Sequence, residues 1–163
     1  KLNSKGLSTI VEDSNLSEFL SINNWNHADS YKASRFYILE ALNNNPSLEL
    51  IIDLHRDALT HDNATVNIDG KDYAKVLFVV GMEHDNYKEN LELANKINNM
   101  IKEKYPTLTR GVITKSGKNV DGIYNQDINP KMILLELGGH ESTIEEVMNT
   151  TNIISDIIKE LLG

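Results

Sequence analysis

The stretch Leu48-Glu49-Leu50-Ile51-Ile52-Asp53-Leu54-His55-Arg56-Asp57-Ala58 decides the fold class. An apolar run of Leu50, Ile51, Ile52 and Leu54 encloses one carboxylate and then breaks into His-Arg-Asp. Side chains alternate along a strand, so Asp53 and His55 share one face while Leu54 and Arg56 share the other. A buried strand that ends in polar groups is how an α/β protein presents a ligand or a catalytic side chain. The stretch Lys131-Met132-Ile133-Leu134-Leu135-Glu136-Leu137-Gly138-Gly139 repeats the design, with Glu136 on the face of Leu134 just ahead of two glycines. If the two strands are near neighbours in a parallel sheet, His55 and Glu136 emerge at one carboxyl edge, where open α/β sheets bind ligands.

Upstream of that strand, residues 1–11 read as the last turn of a helix, a Gly6 C-cap and then a strand, so one more strand and most of a helix are expected to precede them. Residues 13–28 form a polar loop with a short helical turn near residues 16–20, in which Trp25 is expected to pack rather than line a cleft. Asp29 or Ser30 caps a helix over residues 31–42 with Phe36, Ile38, Leu39 and Leu42 on its buried side, and Asn43-Asn44-Asn45-Pro46 stops it.

Downstream, Thr65-Val66-Asn67-Ile68 alternates, Asp69-Gly70 signals a type I′ hairpin, and residues 73–80 read as one strong strand. Asn86 caps a helix reaching Lys104, with Tyr87, Leu91, Ala94, Ile97 and Ile101 at helical spacing. A short strand over 107–113 and a Gly-rich polar loop over 114–127 lead to the Glu136 strand. The last helix opens on a capping box made by Ser142 or Thr143 with Glu145 or Glu146, and carries Ile144, Val147, Met148, Ile154, Ile157, Ile158 and Leu161 on its apolar side. Strands alternating with helices predict an α/β fold: a mixed, mainly parallel sheet covered by helices on both faces, in a single domain over residues 1–163.

The formal charge of −8 argues against nucleic acid as a partner, because phosphate recognition needs clustered Lys and Arg. With no cysteine, disulfides and thiolate chemistry are excluded. No apolar run approaches the roughly 18 residues of a membrane span.

Chemistry concentrates at the two strand ends. His55 has a fixed direction and the side chain most often used as a metal ligand. Glu136 at a strand end must meet a cation, a solvated cleft or a bound water, since burying an unpaired carboxylate is expensive. Arg56 could brace Glu136 or clamp a substrate carboxylate with its planar fork. Glu83-His84-Asp85 is a second candidate metal cluster, read as a rim feature because neighbours on a loop rarely converge on one ion. His27, His61 and His140 fall in loops and are expected to be solvated, with His140 the nearest to the site.

The segments Ile52-Asp53-Leu54-His55-Arg56-Asp57-Ala58, Phe78-Val79-Val80-Gly81, Glu89-Asn90-Leu91, Tyr124-Asn125-Gln126 and Leu134-Leu135-Glu136-Leu137-Gly138-Gly139, followed by Thr143-Ile144-Glu145-Glu146, resemble the stage II sporulation protein P family. The resemblance implies a zinc-dependent N-acetylmuramoyl-L-alanine amidase that cuts peptidoglycan during engulfment in sporulation, some members also acting as endopeptidases. It implies zinc held by His55 with a histidine and a glutamate from an upstream segment, and catalysis by Glu136 as general acid/base; Arg56 joins Glu136 as a catalytic candidate on its own chemistry. It further implies substrate contact by Asn90, Asn125 and Gln126, a membrane anchor in an N-terminal segment outside these residues, and a lytic transglycosylase partner. The competing expectation is a non-catalytic module of the same fold that grips peptidoglycan or a protein partner.

Overall fold

Apolar runs become six strands, β1 (Ile51–Asp57), β2 (Thr65–Ile68), β3 (Lys71–Ala74), β4 (Val76–Gly81), β5 (Thr109–Lys115) and β6 (Met132–Gly139). Five helices alternate with them: α1 (Leu16–Ile22), α2 (Ser30–Asn44), the single turn α3 (His61–Ala64), α4 (Tyr87–Lys104) and α5 (Ile144–Leu162). The computed structural model describes residues 1–163, which divide into two units, Lys1–Ser8 with Leu50–Gly163, and Thr9–Glu49.

In the larger unit four strands form a sheet in the order β1-β6-β4-β5, and β2 with β3 forms a separate hairpin. β1 runs parallel to β6 and β4 parallel to β5, while β4 and β6 meet antiparallel, so the sheet is mixed and mainly parallel, as the sequence predicts. Alternation sends Val76, Phe78 and Val80 of β4, and Ile133, Leu135 and Leu137 of β6, to one face. There they meet Ala94, Ile97 and Ile101 of α4 and Ile153, Ile154, Ile157 and Ile158 of α5. Each of these side chains larger than alanine contributes roughly 1.5–3 kcal/mol by leaving water. Within this unit both long helices share that face and touch one another.

Helix α5 begins with the expected capping box: the Glu146 N–H donates to Thr143 Oγ1 at 3.2 Å, and the Thr143 N–H donates to the Glu146 carboxylate at 2.9 Å. Thr150 ties it to the hairpin by donating to the Ala74 carbonyl at 2.7 Å. The hairpin turns at Asp69 and Gly70, both at positive φ as a type I′ turn requires.

Several expectations need correction. The run 73–80 is two strands, because at Lys75 the backbone turns its bonds elsewhere: its N–H donates to the Ala64 carbonyl at 2.7 Å, and its carbonyl accepts from Gly138 N–H at 2.8 Å. No strand follows Gly6, although Gly6 does take the left-handed cap, at φ 87, of a 3-10 turn over Asn3–Lys5. Asn86 makes no cap bond and instead donates to the Asp127 carbonyl at 2.8 Å. β1 lies at the sheet edge rather than its centre, so Leu54 is 60% exposed despite its place in an apolar run. Ile144 and Met148 fall on the solvent side of α5.

In the smaller unit, Asn15 caps α1 by accepting from the Glu18 N–H at 3.2 Å. Asp29 does not cap α2; with Asn26 it closes a capping box around the 3-10 turn His27–Asp29. Phe19 contacts Trp25, Phe36 and Tyr37 with ring centroids 5.3–6.0 Å apart, and Lys32 Nζ sits 3.6 Å from the Trp25 ring centre. Trp25 therefore packs, as expected. Phe36 and Leu39 are exposed, contrary to the pattern, because Ala33 alone on α2 is fully buried. No helix of the chain is long and apolar enough to cross a membrane.

Candidate active site

Register places the two polar strand ends side by side. On the parallel pair β1/β6, His55 stands opposite Glu136 and Asp53 opposite Leu134, and on the antiparallel pair β4/β6, Leu77 stands opposite Glu136. Opposed residues project to the same side, so His55, Glu136 and Leu77 share the face away from the helical core. Since β5 runs against β6, its first residues reach the end of the sheet where β1 and β6 finish.

Two breaks in register shape this end. On β1 the pairing jumps between His55 and Asp57, which aligns with Gly139. On β5, Thr109 aligns with Val76 and Val112 with Phe78, leaving Arg110 and Gly111 together opposite Leu77. Gly111 has φ 97, the left-handed region that glycine alone enters without strain, and its N–H donates to Thr109 Oγ1 at 2.9 Å. A bulge of this kind re-aims a side chain. Here it sends Arg110 toward β1, where Nη1 donates to Asp57 Oδ2 at 2.7 Å. β1 and β5 are separated by β6 and β4, roughly 14 Å at ordinary strand spacing, so the pair bridges the sheet over Leu77 and Glu136.

The electrostatics follow from this crowding. His55 Nε2 lies 3.0 Å from Asp53 Oδ1. That hydrogen bond raises the imidazole pKa above its usual value; burial works against it, and the charges of Asp53 and Glu136 reinforce it. The Glu136 carboxyl is also raised, first by burial, with Asp57 and Asp53 adding to the rise and His55 and Arg110 opposing it. Its Oε2 is buried without a hydrogen-bond partner. A buried carboxylate oxygen left unmatched costs a folded protein free energy.

The other residues singled out from sequence are placed as follows. Arg56 does not reach Glu136: it donates from Nε to the Gly139 carbonyl at 3.1 Å and from Nη2 to the Ser142 carbonyl, fastening the turn that follows Glu136. Gly139 is required there, because a Cβ would run into the Leu59 carbonyl. Asn90 is fully buried and donates to the Asn129 and Met132 carbonyls at 3.0 and 2.8 Å, so it joins α4 to β6 instead of facing a substrate. Gln126 is buried at the end of β4, accepting from Gly81 N–H and donating to the Val79 carbonyl. Asn125 is buried too, in a left-handed conformation that turns the chain into Gln126. Of the five residues matched to catalysis or substrate contact, only Glu136 opens at the His55 site.

The Glu83-His84-Asp85 cluster does not converge: Glu83 accepts from the Gly117 N–H at 2.6 Å, while both His84 ring nitrogens are buried without partners. His61 is not simply solvated, since Nε2 meets the buried Glu146 carboxylate at 2.7 Å. His27 and His140 are exposed.

An imidazole oriented by a carboxylate, as His55 is by Asp53, is the usual setting of a metal-binding histidine. A catalytic zinc needs three protein ligands, however, and no three His, Asp or Glu side chains of this chain are placed to hold one ion. The residues present do not by themselves fit a zinc site.

Asp57 and Arg110 are the site residues that sequence reading passed over. Asp57 stood in view beside His55, but Arg110 is 53 positions away and owes its place to the Gly111 bulge. Arg-Gly at the start of a short strand was the one available signal.

Comparison with known proteins agrees with the order of these segments. Residues 1–159 match the family Stage II sporulation protein P (SpoIIP). Over 160 residues the chain is 36% identical to Stage II sporulation protein P of Bacillus subtilis (strain 168), an alignment covering 98% of this chain and 40% of that protein. No solved structure matches the chain. With nearly its whole length matched, this chain belongs to the stage II sporulation protein P family, a family of sporulation proteins.

Proposed function

We propose that the protein hydrolyses peptidoglycan at the amide between N-acetylmuramic acid and the L-alanine of the stem peptide, with Glu136 as general acid/base. The observation that carries this reading is the buried, unpartnered Glu136 oxygen beside the Asp53-oriented His55. Amide hydrolysis needs a group that takes a proton from the attacking water and returns one to the leaving nitrogen. A carboxyl whose burial raises its pKa is suited to both steps near neutral pH. The water oxygen bonds to the carbonyl carbon, the carbon–nitrogen bond breaks, and Glu136 carries the proton from one to the other.

Zinc belongs to the proposal through His55, with its further donors supplied from outside these 163 residues. The chain spans about 40% of the length of its Bacillus subtilis relative. Anchoring to a membrane, extracytoplasmic action, endopeptidase cutting and partnership with a lytic transglycosylase are part of the same proposal for the whole protein.

The test is release of soluble stem peptides from purified peptidoglycan by the full-length protein. Glu136→Gln is expected to lower release by about 100-fold or more while leaving zinc content unchanged, and His55→Ala to lose both zinc and activity. A Glu136→Gln protein that stays active removes the assigned role. A wild-type protein that binds peptidoglycan and releases nothing identifies a binding module instead.

A further inference from the structure

The mechanism above leaves the Arg110/Asp57 pair without a task. The pair is expensive to arrange. It requires a bulge on β5, a left-handed Gly111 and a shift of register on β1. Thr109, at the base of the bulge, is fixed in turn to Asn98 of α4 by a hydrogen bond of 2.5 Å. Two partly exposed residues at the rim of a sheet need none of this to form a surface ion pair, which contributes only about 0–1 kcal/mol.

The guanidinium has five N–H donors in a planar fork. Asp57 takes one arm, and Arg110 makes no other hydrogen bond; its side chain is 24% exposed. It forms no ion pair with Glu136, yet stands near enough for its charge to be felt by that carboxyl. A fixed cation with donors to spare therefore stands near Glu136, above the strands that carry it.

The surrounding charges restrict what can bind there. Asp53, Asp57 and Glu136 lie close together, against Arg110 and the His55 imidazole. An anionic ligand would be repelled by these carboxylates. A neutral carbonyl oxygen would not, and it becomes negative only as water adds to its carbon.

We infer that Arg110 is a catalytic residue whose unbonded arm donates to the carbonyl oxygen of the scissile amide, opposite Glu136, while Asp57 holds the guanidinium in that direction. The inference rests on the amide-hydrolase reading given above. As water attacks, the carbon–oxygen double bond opens and its electron pair moves onto the oxygen facing Arg110. When the carbon–nitrogen bond breaks the pair returns, and the nitrogen leaves with the proton from Glu136. Donors aimed at the place where charge develops act on the transition state more than on the bound substrate.

The experiment is steady-state hydrolysis of purified peptidoglycan by the full-length protein and its Arg110→Gln, Arg110→Lys and Asp57→Asn variants. Arg110→Gln is expected to lower kcat by about 100-fold with KM changed by less than about threefold, the signature of a lost transition-state donor. Arg110→Lys keeps the charge next to Asp57 and so protects against misfolding. It supplies no second arm, and kcat should fall by about tenfold with the thermal midpoint unchanged. Asp57→Asn should lower kcat in the same direction. Wild-type kcat in either folded Arg110 variant overturns the role, as does a loss carried wholly by KM. If the wild-type protein releases nothing from peptidoglycan, the amide-hydrolase reading falls and this role falls with it. An active wild type with an unaffected Arg110→Gln removes this role alone.

Discussion

Strand β6 has two faces of opposite character within one residue of each other. Leu135 points into the helical core with Ile133 and Leu137, while its neighbour Glu136 points to the His55 face and carries a buried oxygen with no partner. The same backbone ladder thus supports a dry layer that stabilises the fold and a polar layer that costs it stability. The contrast separates the two faces better than exposure does, since both residues are largely withdrawn from water. On the dry face apolar side chains meet one another. On the other face the unmatched carboxyl, the oriented imidazole and the bridged Asp57/Arg110 pair stand together.

The sharpest way to break the contrast is from the dry side. Phe78 on β4 is fully buried and pairs across the ladder with Leu135. Phe78→Ala removes a ring and leaves a cavity, and is expected to cost about 3–5 kcal/mol. Urea unfolding measures it. A loss below about 1 kcal/mol would mean that this face is not the stabilising layer.

How much of this was legible beforehand depended on the range over which the determinants act. The alternation around Asp53 and His55, the Glu136 strand, the Asp69-Gly70 turn and the α5 capping box are written in neighbouring residues, and the structure has each of them. The split at Lys75 could not be read, because its cause is bonding to Ala64 and Gly138, distant in sequence. Asn90 and Gln126 are polar and looked like substrate contacts. They instead satisfy backbone groups in the interior, where a buried amide is as strictly needed as an apolar side chain. Arg56 was expected to brace Glu136, but strand alternation sends it away, and a bulge that no local pattern announces brings Arg110 toward Glu136 instead.

A smaller perturbation tests the helix that covers the dry face. Thr143 caps α5, and the same box holds Glu146 against His61. Thr143→Ala is expected to cost about 1 kcal/mol, the usual loss for an N-cap hydroxyl. Thermal unfolding of the variant should show a modest drop with unchanged cooperativity. No drop would mean that the Glu146 contacts hold the helix start without the hydroxyl.

The smallest effect is expected on the polar side, and with the opposite sign. Burial raises the Glu136 carboxyl above its ordinary value of 4.5. Between the unfolded and folded pKa values the native state then binds more protons than the unfolded chain, so stability falls as pH rises through that window. The carboxyl costs nothing below the unfolded value, and its full penalty applies above the folded one. Glu136→Gln keeps the shape and removes the ionisation, so the variant should match wild type in acid and become more stable than wild type as pH rises. The substitution also removes one of the charges that hold a proton on His55, an opposing effect that fades as pH rises and that imidazole loses its proton. Denaturation midpoints of the two proteins across about pH 4 to pH 8 provide the comparison. Curves that stay parallel would show Glu136 to be no burden on the fold, and the contrast between the two faces of β6 would lose its energetic basis.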